Sequence, residues 1–131
     1  PFIWELSKRI HNDNITFEFM EISSYGNSLE TSGQITVNKD ISCDISGKNI
    51  LIVEDIIDSG TTLNYLKKYL ESKSPKSLRI ATLLDKPSRR TVNVSVDYIG
   101  FSIEDKFVVG FGLDYEQKYR NLPYIAYIKK M

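Results

Sequence analysis

The chain is poor in the features that mark several large classes of protein. Cys43 is the one cysteine among 131 residues, which excludes an internal disulfide framework and fits a reducing, cytoplasmic compartment. The flanking sequence gives this thiol no base, so we interpret it as a small, half-buried packing residue. No apolar run approaches the roughly 20 residues that a membrane-spanning helix requires, and we therefore expect no membrane partner.

An excess of charge of either sign is also absent. The chain carries 17 Lys and Arg residues against 17 Asp and Glu residues, a formal net charge of zero. A neutral chain has no overall attraction for nucleic acid or for an anionic membrane surface, and we expect neither as a partner. With 41% hydrophobic residues, the composition is that of an ordinary globular protein. We predict a single domain over residues 1–131.

The spacing of apolar residues predicts an α/β fold. Residues 1–10 and 61–72 have helical spacing, and the second helix places Leu63, Leu66 and Leu70 on one stripe. Alternating or continuous apolar runs predict strands, and the run at 50–53 is typical of a strand buried on both faces. The predicted strands and short apolar runs cover residues 15–23, 34–41, 50–53, 77–85, 92–101, 107–115 and 124–130. Because helices and strands alternate early in the chain, we expect a largely parallel sheet.

One long polar segment interrupts this pattern. Residues 24–33, "SYGNSLETSG", are small, polar and unpatterned, which predicts a loop. Loops of this length inside compact domains are often lids or binding loops. A disordered surface loop is the alternative interpretation.

The stretch "ILIVEDIIDSGTTLNYL", residues 50–66, combines a buried strand, three carboxylates and a turn into a helix. The helix N-terminus offers free backbone N–H groups and the positive end of the helix dipole, which suit an anion. Gly60 lets the backbone approach a ligand closely. Neither G-x-x-x-x-G-K-[ST] nor G-x-G-x-x-G after a strand is present, which excludes a P-loop NTPase and a dinucleotide-binding domain.

The carboxylates of Glu54 and Asp55 would repel a phosphate that faced them directly. They suit hydrogen bonds from sugar hydroxyls, or a hard cation bound through water. A ribose 5-phosphate group satisfies both halves of the stretch, because it has a phosphate at one end and a diol at the other. The alternative is purely structural: Asp58 caps the helix, and the other two acids are solvated at a strand end.

The same stretch resembles the phosphoribosyl pyrophosphate signature of the type I phosphoribosyltransferases, and it is most similar to their hypoxanthine-guanine branch. Three further segments follow that branch in order. "SSYGNSLETSG" resembles its mobile catalytic loop, "LLDKPSRR" its purine-contacting lysine segment, and "DKFVVGFGLDYEQKYRNLPYI" its purine-stacking and C-terminal segment. The resemblance covers nearly the whole chain and implies a mostly parallel twisted sheet flanked by helices.

The resemblance assigns the phosphoribosyl half of a site. It implies that Glu54 and Asp55 contact the ribose hydroxyls, directly or through Mg²⁺-bound water. Asp58 matches the base near the purine's imidazole nitrogen, and Ser24 and Tyr25 match the Ser-Tyr pair of the catalytic lid. The 5′-phosphate cradle implied by the resemblance comprises Asp58, Ser59, Gly60, Thr61 and Thr62.

The resemblance also assigns the purine half. Lys86 matches the lysine that donates to the 6-oxo group, Phe107 the aromatic that stacks on the purine, and Val108 the residue whose backbone reads the ring edge. Asp114 matches an acid that is linked to the purine site and to Mg²⁺, and Arg120 a pyrophosphate-binding arginine. Taken alone, Lys86 would be a solvated loop residue, Phe107 a core residue, and Asp114 with Arg120 a surface ion pair. Arg89 and Arg90 are interpreted as solvated, and Trp4 as a packing residue.

The implied activity is purine salvage. The family transfers ribose 5-phosphate from phosphoribosyl pyrophosphate to hypoxanthine or guanine, giving IMP or GMP and pyrophosphate, with Mg²⁺ as cofactor. It is commonly dimeric or tetrameric, so a homodimer or homotetramer is expected. The family's N-terminal segment, which precedes the helix at residues 1–10, has no counterpart here; without it we expect a partly uncovered sheet and weakened pyrophosphate binding. A non-catalytic phosphoribosyl pyrophosphate or nucleotide-binding regulator is the alternative, whereas a kinase of the same fold leaves the segment around Phe107 unexplained.

Overall fold

The computed structural model describes residues 1–25 and 34–129. The predicted loop therefore lies outside the described residues, except for its first two positions. Among the described residues, no helix has the length and apolar character needed to cross a bilayer. Two α-helices, one 3₁₀ turn and seven strands make up the regular structure of this part of the chain.

The elements follow one another in a simple order. In chain order they are α1 (Phe2–Ser7), β1 (Glu21–Tyr25), β2 (Gln34–Lys39), β3 (Asn49–Ile57), α2 (Thr61–Glu71), β4 (Ser77–Asp85), a 3₁₀ turn (Pro87–Arg89), β5 (Tyr98–Ser102), β6 (Val108–Val109) and β7 (Ala126–Tyr127). Strands β1 and β2 form an antiparallel hairpin, and β6 and β7 form a second, very short one.

The centre of the fold is a parallel sheet in the order β3-β4-β5. Strands β3 and β4 are in register over their whole length, with Asn49 opposite Ser77 and Ile57 opposite Asp85. Helix α2 crosses over between them and packs Leu63, Leu66 and Leu70 against the sheet. Because these strands are parallel, their carboxyl ends lie along one edge, where α/β proteins bind ligands.

Helix α2 and strand β4 confirm the sequence pattern most directly. Residues 77–85 were predicted as a strand, and β4 has those bounds. The predicted leucine stripe of α2 is its buried face. The buried leucines of α2 recur at helical spacing, whereas β4 buries consecutive residues on both faces, as a central parallel strand does.

Two of the predicted strands are shorter than their sequence patterns. Residues 15–20 form no strand, and β1 begins only at Glu21; Ile15, Phe17 and Phe19 are exposed. Residues 92–97 are also not a strand, although Val94 and Val96 pack on the core. The strand predictions for residues 15–20 and 92–97 are wrong, because a strand also needs a hydrogen-bonding neighbour, which these segments lack within the described residues.

Strand β3 differs from its prediction in length and burial. It continues through Glu54 and Asp55 to Ile57, so these acids lie inside the strand and not beyond its end. It is also not buried on both faces, since Leu51 remains 40% exposed. A continuous apolar run identified the strand but not which of its faces is covered.

Candidate active site

A cleft opens at the carboxyl end of β3, beside the N-terminus of α2. Its volume is about 260 Å³. Five residues predicted for the phosphoribosyl site lie together in its wall, beside three apolar neighbours. The lining comprises Glu54, Ile56, Ile57, Asp58, Ser59, Gly60, Thr62 and Leu63. A strand end followed at once by a helix start therefore brings an acid, a turn and free helix amides to one place.

The turn from β3 into α2 depends on Gly60. This residue caps the helix with φ +85°, a left-handed conformation that disfavours other residues. No side chain caps the helix, so the structural alternative in which Asp58 is the N-cap is wrong. Ser59 Oγ accepts a 3.3 Å hydrogen bond from the Thr61 backbone N–H, which shapes the turn without occupying the other amides.

The carbonyl groups of the turn face the segment that follows β4. Ile57 O accepts from Lys86 N at 2.9 Å, and Ser59 O accepts from Thr91 N at 3.0 Å. By contrast, within the described residues the backbone N–H groups of Gly60, Thr62 and Leu63 donate to no protein acceptor. Among the described residues, the carbonyl groups of the turn accept hydrogen bonds from the segment after β4, and these three amide groups stay free. A turn with free amides of this kind suits an anion.

The carboxyl groups of Glu54 and Asp55 are in an unfavourable environment for charge. Burial, followed by the neighbouring Asp55 carboxylate, raises the pKa of Glu54 to about 7. Burial also raises the pKa of Asp55. A buried acid beside a like charge is stabilised by a cation or by hydroxyl donors. Glu54 lines the cleft and Asp55 is not among its lining residues, so Glu54 in particular suits a ligand that supplies either.

This raised pKa predicts a pH-dependent stability. The folded-state pKa of Glu54 lies above its unfolded value, so its contribution is fully present below about pH 4.5 and is lost as pH rises through about 7. The ligand-free protein should lose at most about 3 kcal/mol of unfolding free energy over that window. Urea unfolding from pH 4.5 to 8 measures the loss. Glu54→Gln should flatten the curve, and an equally steep curve in that variant would contradict the assignment.

Lys86 joins the cleft through an ion-pair network. Its Nζ lies 3.7 Å from Asp58 Oδ1 and 3.9 Å from Asp105 Oδ1, and Arg89 Nη1 lies 3.6 Å from Asp105 Oδ2. The Lys86 side chain is only 10% exposed, so it is not the solvated loop lysine of the alternative interpretation. Asp105 was missed from the sequence, where nothing local relates it to a lysine 19 positions earlier.

Arg90 and Asp85 were also missed. The interpretation of Arg90 as solvated is wrong: its Nη2 lies 2.5 Å from Asp85 Oδ1, and the two side chains are 20% and 6% exposed. Arg89 is 57% exposed, as expected. An acid ending a buried strand, followed five residues later by an arginine, is a weak sequence signal of a buried pair.

The purine-segment residues lie beyond β5 and in the C-terminal part. Phe107 is 51% exposed, which argues against a core role, and its ring meets Tyr115 edge-on at 5.6 Å. Val108 is half-buried in β6 and pairs with Tyr127. An exposed aromatic beside a strand backbone leaves a ring face and main-chain groups available to a planar ligand.

Asp114 and Arg120 form the ion pair that their spacing allowed. Arg120 Nη2 lies 3.4 Å from Asp114 Oδ1, and Arg120 Nη1 donates to Gly112 O at 2.8 Å. In the part of the chain that the structure describes, no three acids, histidines or cysteines converge as a preformed metal site. Asp114 is therefore not grouped with the Glu54–Asp55 pair.

Ser24 and Tyr25 end β1 opposite Ile35 and Gln34, and the rest of the predicted lid lies outside the described residues.

Gly60 gives a prediction with a built-in control. A Cβ at this position would lie 3.0 Å from Val94 Cγ1 and 3.1 Å from Arg90 Cδ. Gly47 has a similar φ of +72° but open space around it. Gly60→Ala should cost about 2–4 kcal/mol, and Gly47→Ala about 1 kcal/mol from backbone strain alone. Equal losses in chemical denaturation would show that contacts with the 90–94 segment do not matter.

Together, a parallel sheet, a turn with free helix amides and adjacent carboxylates define an α/β domain with a cleft at the carboxyl edge of its sheet. A family model described as the phosphoribosyl transferase domain matches residues 1–116. The chain is 49% identical over 129 residues to the hypoxanthine-guanine phosphoribosyltransferase of Bacillus subtilis, covering 98% of this chain and 71% of that protein. It is 59% identical over 109 residues to the hypoxanthine phosphoribosyltransferase of Escherichia coli K12, covering 83% and 61%.

A solved structure agrees with these matches. The hypoxanthine-guanine phosphoribosyltransferase of Bacillus anthracis superposes with a TM-score of 0.91 at 50% identity, covering 98% of this chain and 75% of that one. The chain belongs to the phosphoribosyltransferase family, in its hypoxanthine-guanine branch. It spans 61% to 75% of the length of these three proteins.

Proposed function

We propose that the protein to which this chain belongs transfers the 5-phosphoribosyl group of phosphoribosyl pyrophosphate to hypoxanthine or guanine in purine salvage. The observation that carries the proposal is the junction of two half-sites at Asp58. Its backbone begins the phosphate turn, and its carboxylate lies 3.7 Å from Lys86 Nζ. A single residue thus links the place for a sugar phosphate to the place for a 6-oxopurine.

The turn suits the 5′-phosphate. Free amides at the start of α2 provide donors and a positive dipole without a basic side chain. Ser59 and Thr62 add hydroxyl groups in the cleft wall. The charge of the phosphate is thereby met by fixed backbone dipoles, which need no reorganisation when the ligand binds.

Lys86 suits the purine's 6-oxo group. An ammonium can donate hydrogen bonds but cannot accept them. It can therefore donate to a 6-oxo oxygen, but it has no acceptor for the amino group of adenine. The exposed Phe107 ring offers a stacking surface, and Val108 offers main-chain groups. Xanthine carries the same 6-oxo group, so this contact does not separate it from hypoxanthine and guanine.

Asp58 suits the role of general base. In the reaction, a purine imidazole nitrogen bonds to C1′ of the ribose while the bond from C1′ to the pyrophosphate oxygen breaks. The purine loses its N–H proton, which the Asp58 carboxylate takes as general base. Its side chain is 49% exposed at the cleft mouth, and nearby carboxylates also stabilise the positive charge that develops on the ribose.

The carboxylate pair fits a magnesium ion. Mg²⁺ prefers hard oxygen ligands and commonly uses one or two carboxylates together with waters and substrate phosphates. Glu54, in the cleft wall, and the neighbouring Asp55 are the carboxylates proposed to hold it, and burial raises the pKa values of both, so a cation would stabilise their charged forms. When bound, the ion would neutralise charge on the pyrophosphate leaving group. Asp114 is not grouped with these two acids in the described residues and stays a separate predicted Mg²⁺-linked acid, and Arg120 stays a predicted pyrophosphate contact.

The test is a direct assay. Full-length protein is incubated with hypoxanthine, phosphoribosyl pyrophosphate and Mg²⁺, and inosine monophosphate is measured by chromatography. Formation above a no-enzyme control supports the proposal, and its absence refutes it. Binding of phosphoribosyl pyrophosphate without turnover would instead support the non-catalytic regulator, which no observation in the structure favours.

A homodimer or homotetramer and a cytoplasmic location remain predictions, which light scattering and cell fractionation would check.

A further inference from the structure

We propose that Arg90 is a positioning residue that holds the phosphate-binding turn in shape and so sets the affinity for the sugar phosphate. The inference rests on the proposed function, because it concerns the same cleft. It adds a residue that was first interpreted as solvated. Three observations carry it: a buried anchor, a bond to the turn, and packing against Gly60.

The anchor is Asp85, at the carboxyl end of β4. Its side chain is 6% exposed and lies 2.5 Å from Arg90 Nη2. A buried carboxylate requires a partner, so it fixes the guanidinium at this point. Strand β4 is in register with β3 here, with Asp85 opposite Ile57, and the anchor thus stands directly beside the start of the turn.

The bond to the turn comes from the other guanidinium nitrogen. Arg90 Nη1 donates to the backbone carbonyl of Asp58 at 3.3 Å. With the bonds to the carbonyls of Ile57 and Ser59, this places a donor on three consecutive carbonyls of the turn. Tying each carbonyl to the 86–92 segment orients the intervening peptides, whose N–H groups then face the other way, toward the cleft.

Packing supplies the third observation. The Arg90 Cδ lies 3.1 Å from the position that a Gly60 Cβ would occupy. The aliphatic part of the arginine therefore covers one face of the glycine, while its head group bonds the residue two positions earlier. Arg90 does not act as a phosphate ligand in this arrangement, because its charge is already engaged by Asp85.

Lysine cannot reproduce these contacts. Its single ammonium can pair with Asp85, but it cannot at the same time supply a second, rigidly spaced nitrogen to Asp58 O. Arg90→Lys therefore separates the two roles: it keeps the buried ion pair and removes the tether to the turn. The double variant Arg90→Met with Asp85→Asn removes the tether without leaving a buried charge unpaired.

The experiment measures binding and kinetics on the full-length protein. Titration calorimetry gives the Kd of ribose 5-phosphate, and initial rates give KM for phosphoribosyl pyrophosphate and for hypoxanthine. Both variants should raise the Kd and the first KM by about tenfold, the equivalent of one hydrogen bond to a charged group, and leave the KM for hypoxanthine within about twofold. Arg79→Lys is the matched control, because Arg79 lies at the opposite edge of the sheet and bonds Tyr98 Oη; it should change nothing.

The outcomes separate the inference from the proposed function. Thermal unfolding checks that the variants are folded. If the folded variants bind ribose 5-phosphate as tightly as wild type, the inference is overturned. Arg90→Lys would then show that only the ion pair with Asp85 matters, because lysine retains that pair and loses the bond to the turn. Equal losses in both KM values would also overturn it. Wild-type protein that binds ribose 5-phosphate but makes no product would refute the proposed function, and the binding arm would still decide the role of Arg90. Wild-type protein that binds no ribose 5-phosphate would overturn the inference, and the product assay would still decide the proposed function.

Discussion

Asp58→Asn is expected to lower kcat by about 10²- to 10⁴-fold, because it removes the proposed general base for the purine proton. The KM for phosphoribosyl pyrophosphate should change by no more than about threefold. The turn is built from backbone amides, and it is held by hydrogen bonds to the main-chain carbonyls of Ile57, Asp58 and Ser59, which the substitution leaves in place. Asparagine is nearly isosteric, so those bonds remain. Steady-state kinetics with both substrates varied measures the two effects separately.

The control for this variant is Asp13→Asn, an exposed aspartate outside the regular elements, which should leave both constants unchanged. Two results would contradict the role of Asp58. An unchanged kcat would remove it as base. A KM for phosphoribosyl pyrophosphate that rises in step with the fall in kcat would show instead that the side chain helps to bind the phosphate.

The second large effect is expected for Lys86→Ala. Losing a charged donor to the 6-oxo group should raise the KM for hypoxanthine by about 10- to 100-fold, while the KM for phosphoribosyl pyrophosphate stays within about threefold. Discrimination against adenine should weaken as well, because the donor that rejects an amino group is gone. The fold should tolerate the change, since Asp58 and Asp105 are about half exposed and remain solvated without the lysine.

Lys68→Ala is the matched control, because Lys68 is an exposed lysine in the last turn of α2, outside the cleft lining. It should leave both KM values unchanged. An unaltered KM for hypoxanthine in Lys86→Ala would remove this residue from the purine site. A large rise in the KM for phosphoribosyl pyrophosphate would place its main effect on the phosphoribosyl half, through Asp58.

The elements nearest the cleft could be predicted from sequence because their patterns are local. Helix α2 buries leucines at helical spacing, and β4 is a mostly apolar run that is buried on both faces. The residues from Glu54 to Thr62 are contiguous, so a strand end and a helix start follow directly. The failures have a different cause. Residues 15–20 and 92–97 have the alternation of strands, but pairing depends on a neighbour that the local sequence does not specify.

The sequence by itself determined the order of acids, turn and helix start from Glu54 to Thr62, since these residues lie within nine positions of one another and backbone geometry places them. Only the tertiary structure decided what surrounds them. Asp105, which follows β5 in the chain, forms an ion pair with Lys86. Arg90 connects Asp85 to the Asp58 carbonyl, which lies 32 positions earlier in the chain. Contacts of that separation arise from the register of parallel strands, which brings the ends of β3, β4 and β5 to one edge. No local pattern encodes that register, because it is set by the packing of the whole sheet.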